Sequence, residues 1–171
     1  MKTIDLKESI GLALKRSAKS WEKAADIELN DRFSLTGGQW KVIVALSIRE
    51  GITQRELADM MFLEAPTIVP ILDKMEKEEF VKRQSDPRDR RNNLIFLTEK
   101  SKEMVDPIVD CMVEMREIGL SKISKKDLEI ARKTLEQINK NAEEFIVAKG
   151  NKADPDVWTV QQNKAKTIVK M

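Results

Sequence analysis

The 171-residue chain contains no histidine. That absence removes the commonest general base and the commonest transition-metal ligand at once. A single cysteine, Cys111, leaves no intrachain disulfide framework and fits a reducing cytoplasm. Cys111 stands mid-helix beside Met112 with no flanking thiolate stabiliser, so it reads as an inert buried thiol rather than a redox sensor. No Gly-rich phosphate loop, CxxC pair or nucleophile elbow occurs. Glu78 and Glu79 are adjacent at a helix end and point apart, which makes them solvated surface rather than an acid–base pair. The longest aliphatic run, residues 42–46, is far too short to cross a bilayer. Charges scattered through the first twenty residues exclude a secretory signal. The expectation is a soluble intracellular protein that is not an enzyme, holds no metal and needs no cofactor.

An excess of positive charge is also missing. Thirty-one basic residues face twenty-nine acidic ones, a net of +2. Distribution is more telling than total: residues 53–91 hold eight Lys/Arg against nine Asp/Glu, yet five of the eight fall within 82–91. A cationic tip on a neutral body suits local phosphate contact better than non-specific coating.

What is present is organised around residues 52–98. Thr53 and Glu56 are spaced as a capping box, and Leu57, Ala58 and Met61 give the helix that follows an inner face. Ile68, Ile71, Leu72 and Met75 then fall at i, i+3, i+4 and i+7, one stripe of a second helix. Its other face carries Pro66, Thr67, Val69, Pro70, Asp73 and Lys74. After Phe80 the pattern becomes that of paired strands around the turn SDPRDRR, where Asp86-Pro87 is turn chemistry. The tip gathers Arg88, Arg90 and Arg91 around Asp89. Two helices and a basic hairpin predict a winged helix-turn-helix whose second helix enters the major groove. The wing arginines would meet phosphates or a narrowed minor groove. Gln54, Arg55 and Lys82 complete the candidate DNA-contacting set.

The flanks are helical. Leu6, Ile10, Leu14, Ala18, Trp21 and Ala25 predict a helix over 5–29 capped by Asp5 with Glu8, broken at 30–34. Thr36 with Gln39 opens a helix that is apolar on nearly all sides and that Gly51 is placed to end. Thr98 caps a long helix in which Pro107 demands a kink or break near 105–106. Ser124 and Asp127 start a last helix, whose Leu128, Ala131, Leu135, Ile138, Ala142 and Phe145 form a seam that one helix cannot bury alone. The expected fold is mainly α with a small β-hairpin wing. Residues 1–33 and 99–148 make a helical dimerisation lobe, 34–98 the winged lobe and 149–171 a tail that is mobile or docked through Val157 and Trp158. Ile10, Leu14, Leu128, Leu135, Ile138 and Phe145 are the candidate homodimer contacts.

The segments SLTGGQW at 34–40, TQRELADMM at 53–61, EAPTIVPILDKMEKEEFVKR at 64–83, DPRDRR at 86–91 and LTEK at 97–100 resemble the MarR family of transcription regulators, and in particular its SlyA-like branch. The similarity runs in order over residues 5–148. It implies a homodimeric regulator of double-stranded DNA, a repressor on an inverted-repeat operator, responsive to a small aromatic or phenolic ligand. Arg16, Trp21, Phe33 and Trp40 supply the cation and flat walls that such a ligand needs. Three positions depart from the family pattern: Pro70 stands where the branch commonly has arginine, and Glu79 and Ser101 each replace a glycine. The alternative is a winged-helix dimer that docks on another protein through Val69, Pro70 and the tail without specific DNA binding.

Overall fold

A computed structural model describes residues 8–151. Helix α1 (Ile10–Phe33) opens on Ser9, whose hydroxyl accepts from the Leu12 N–H at 3.3 Å. The expected cap, Asp5, lies outside the described residues, and α1 begins five positions beyond it. Nor does the chain break at 30–34. The helix runs on to Phe33 because Leu29 and Phe33 pack into the core, and Arg32 ties the last turn to Glu28 at 2.6 Å and to Glu114 of a later helix at 2.7 Å. Ser34 then ends it in the left-handed region.

Helix α2 (Gly37–Ile48) starts as its capping pattern requires, with the Gln39 side chain accepting from the Thr36 N–H at 2.9 Å. Six of its twelve residues are buried, which makes it the central post of the molecule. It stops at Ile48 without a glycine cap. Gly51, at φ +68°, instead turns the chain into strand β1 (Ile52–Thr53). That strand is too short to leave a periodic signal, and a two-stranded wing was the sequence expectation. The sheet in fact has three strands in the order β1-β3-β2, with β2 (Val81–Ser85) and β3 (Asn93–Leu97) antiparallel and Ile52 opposite Ile95.

Between β1 and β2 lie α3 (Gln54–Met60) and α4 (Ala65–Lys77). Leu57, Met60, Ile68, Leu72 and Met75 drop from these helices into one core with Ile43 and Leu46 of α2 and Ile95 and Leu97 of β3. After the wing, a short α5 (Glu99–Lys102) is followed by α6 (Val105–Gly119). The break falls at 103–104, so Pro107 occupies the third position of α6, where its missing N–H would have had no intrahelical acceptor. Ile108 and Cys111 seat α6 on the same core.

Helix α7 (Lys125–Ala148) is capped as expected, Ser124 Oγ accepting from the Asp127 N–H at 3.1 Å, but none of its residues is buried. Leu135, Ile138 and Phe145 are exposed, Phe145 by 63%. Leu128 is half-buried. At the other end Ile10 is exposed and Leu14 half-buried. Val157 and Trp158 lie outside the described residues.

Candidate nucleic-acid interface

The SLTGGQW segment sets the angle between α1, α2 and α4. A Cβ on Gly37 would sit 2.5 Å from the Asp26 carboxylate, and one on Gly38 would sit 2.9 Å from Ile71. Side chains at either position would push α2 off its neighbours. Trp40 is buried and its Nε1–H donates to Asp26 at 2.8 Å, while the buried Gln39 amide donates to Glu78 at the end of α4.

The helix-turn-helix is built on reciprocal bonds at Thr53. Its N–H donates to Glu56 at 2.8 Å and its hydroxyl accepts from the Glu56 N–H at 3.2 Å. Burial opposes ionisation of Glu56, but Thr53 and the Arg49 guanidinium outweigh it and hold the carboxyl below the usual range. In the turn between α3 and α4, Phe62 takes φ +54° and is 72% exposed. No sequence signal led to this residue, a bulky aromatic in a conformation that favours glycine.

Helix α4 turns Ile68, Leu72 and Met75 inward and presents Pro66, Thr67, Val69, Pro70, Asp73 and Lys74 to solvent. It continues as helix through Pro70 to Lys77. It ends in a tight double hydrogen bond: the Phe80 N–H donates to Met75 O at 2.8 Å and the Glu79 N–H to Glu76 O at 3.1 Å. Glu79 sits at φ +60°, the left-handed site that the family pattern fills with glycine. The other replaced glycine lies against it. Buried Ser101 donates its hydroxyl to Phe80 O at 2.5 Å, and Thr98 donates to Glu79 O at 2.7 Å. Lys100 closes the corner, donating to Glu78 O at 2.9 Å with its ammonium 4.3 Å from the Phe80 ring centroid.

Arg83 on β2 is the residue that sequence reasoning missed. Its guanidinium, 16% exposed, donates to Glu76 at 2.5 Å, to Asp73 at 2.7 Å and to Gln54 at 3.1 Å. One side chain therefore binds the wing to both helices, and these carboxylates raise its pKa despite the opposing effect of burial. Asp73 and Gln54 are thus held inside the protein's own network. The partners lie 7, 10 and 29 residues away, beyond any local pattern.

At the wing tip Asp86 is buried and accepts from the Arg88 N–H at 2.8 Å, fixing the turn. Asp89 accepts from the Arg91 N–H and from its Nε–H, both at 3.1 Å, and the Arg91 side-chain bond first, then the backbone bond, lowers its pKa. Arg88 and Arg91 side chains remain 84% and 91% exposed. Arg90 is exposed and has no side-chain partner among the described residues. Exposed Arg55 on α3 and Lys82 on β2 share the molecule's surface with Lys74.

The four residues named for a ligand fall on α1 and α2. Trp40 is core, Arg16 is exposed, and Trp21 lies over Gly119, where a Cβ would come within 2.4 Å of its ring. Phe33 packs on the core about 18 Å further along α1 at helical rise. An open cleft of about 430 Å³ lies where the winged lobe meets the later helices, lined by Ser47, Glu50, Leu97, Lys102, Val105 and Asp106, among others. Cys111 is buried, and burial pushes its thiol pKa up against the pull of Arg32.

A helix-turn-helix with an exposed second helix, a three-stranded sheet and a cationic tip defines a winged-helix DNA-binding protein. Comparison with known proteins agrees. The sequence pattern of the MarR family matches residues 35–92. An uncharacterized HTH-type transcriptional regulator, YybA of Bacillus subtilis, is 28% identical over 152 residues, 88% of this chain and 98% of the relative. A MarR-family regulator from Rhodococcus sp. RHA1 superposes with a TM-score of 0.69 at 28% identity, covering 80% of this chain and 96% of that one. A putative MarR family regulator from Listeria monocytogenes, solved in complex with a 26mer DNA, gives a TM-score of 0.71 at 21% identity over 85% and 98% of the two chains, a likeness of fold. Residues 35–92 thus carry the MarR pattern, and the chain is a DNA-binding transcription regulator of MarR type. Among the described residues no helix is long and apolar enough to cross a membrane.

Proposed function

We propose that this regulator is a repressor that binds an inverted-repeat operator as a homodimer. The observation that carries the dimer is α7: a helix of 24 residues whose apolar seam, with Leu135, Ile138 and Phe145, is left in water by a single chain. Exposed apolar area of that kind is normally covered. The exposed Ile10 of α1 and Ile118 of α6 add to it. Two-fold pairing through these helices would set two α4 helices about one turn of DNA apart, roughly 34 Å. In this arrangement Pro66, Thr67, Val69, Pro70 and Lys74 face the groove, while Arg55, Lys82, Arg88, Arg90 and Arg91 face backbone or minor groove. Gln54, Asp73 and Asp89 act by holding arginines.

Release by a small aromatic ligand completes the proposal. The cleft between Ser47, Leu97, Lys102 and Val105 is the site that supports it, because a molecule wedged there would change the angle between the winged lobe and α6. The experiment is a gel-shift titration on the DNA upstream of the protein's own gene, across a salt series and with or without benzoate. The proposal expects a log–log slope of several charges and weaker binding with benzoate. A slope near zero would favour a protein-docking module instead.

A further inference from the structure

The first two turns of α4 carry a chemistry that narrows what the groove must offer. From Ala65 to Leu72 the side chains are Ala, Pro, Thr, Ile, Val, Pro, Ile and Leu, so Thr67 supplies the one polar side chain. Ile68 and Leu72 are buried and Ile71 is half-buried, leaving Pro66, Thr67, Val69 and Pro70 on the outward face. Val69 is 39% exposed on that face. Prolines at 66 and 70 have no N–H, and the Thr67 N–H is already spent on Glu64 O at 2.8 Å. The nearest charged side chains on the same helix are Asp73, held by Arg83 at 2.7 Å, and Lys74, paired with Glu78 at 3.7 Å.

A helix that reads guanine or adenine does so with arginine, lysine, asparagine or glutamine reaching the purine edge. None of these stands in the first two turns of α4. The one base feature in the major groove that an apolar surface can recognise is the 5-methyl group of thymine. We propose that α4 selects its half-site through thymine methyl groups packed against Pro66, Val69 and Pro70, with Thr67 as the only side-chain hydrogen-bonding group in that contact. This rests on the DNA-binding assignment of α4 and adds the class of sequence it accepts. The exposed cations Arg55 and Lys82 and the wing arginines stand on other elements than α4, which fits an apolar contact framed by phosphates.

The test starts from duplexes selected by the full-length protein out of a random pool, then resynthesised with deoxyuridine for thymidine, which removes only the methyl groups. The proposal expects selected half-sites with thymine at their centre and a loss of about fourfold in affinity for each contacted methyl, the factor for burying one such group. It also expects Val69→Ala, a change on the exposed face of a helix, to shrink the deoxyuridine effect while leaving the salt slope intact. Deoxyuridine duplexes that bind as well as the parent would overturn it. So would selected sites centred on cytosine whose binding depends on Glu64, the acidic cap of α4. Failure to enrich any sequence, with a flat salt slope, would instead remove the DNA-reading role of α4 itself, a distinguishable result.

Discussion

Arg83 Nη2 lies 2.7 Å from Asp73 Oδ1, joining the first strand of the wing to the helix that faces the groove. The same guanidinium reaches Glu76 and Gln54, so one side chain helps to fix the spacing between wing and reading helix. Its work is done inside the protein, which separates it from the other arginines of the wing.

Replacing Arg83 by Ala should therefore weaken DNA binding without changing the number of phosphates contacted. Stability should fall by about 1–2 kcal/mol, the size of charge-assisted bonds discounted for exposed partners. Arg90→Ala should instead leave stability unchanged and flatten the salt slope by about one contact. Chemical denaturation together with salt-dependent binding distinguishes the two. A reduced slope for Arg83→Ala would make it a DNA contact after all.

Two residues in left-handed backbone give a stability prediction of the opposite sign. Glu79 at φ +60° and Phe62 at φ +54° each carry a side chain where glycine is easier. Glu79→Gly and Phe62→Gly should each raise stability by roughly 1 kcal/mol, read as a higher denaturation midpoint at unchanged m-value. A lower midpoint for Glu79→Gly would mean that its side chain contributes more than its backbone costs.

Acid should weaken the helix-turn-helix through Glu56. Glu56 has a folded pKa below its unfolded value, so its stabilisation is complete above the ordinary carboxylate range and disappears as pH falls through the folded pKa. Glu56→Gln keeps a capping side chain but cannot titrate. The variant should lose less stability than the parent between about pH 5 and pH 3. Parallel pH curves would remove Glu56 from the acid response.

The assembly prediction concerns Leu135, 45% exposed on α7. Leu135→Asp should give monomers in sedimentation, because a charge in an apolar seam is costly once the seam is covered. The exposed position means that the monomer itself should stay folded by circular dichroism. An intact dimer would move the subunit contact elsewhere.

Local signals in the chain were enough for several of the helix starts. Thr53 with Glu56, Thr36 with Gln39 and Ser124 with Asp127 each open a helix where spacing says one should open, because these bonds close within four residues. The left-handed site at Glu79 was legible for the same reason, as a position where glycine is expected and absent. What remained hidden is long in sequence and short in space. Arg83 finds Gln54 across 29 residues and Gln39 finds Glu78 across 39, and no periodicity announces either. Trp21, Phe33 and Trp40 were singled out by residue type, and type alone does not say that Trp40 is buried while Trp21 is 45% exposed. Strand β1 escaped because two residues cannot show alternation.

Hydroxyl-radical footprinting of the protein on its own upstream DNA tests the central claim most directly. Two protected patches related by a two-fold axis and centred about one turn apart, roughly 34 Å, are the predicted result, with both lost in Leu135→Asp at the same protein concentration. A single protected patch that survives unchanged in Leu135→Asp would contradict the account.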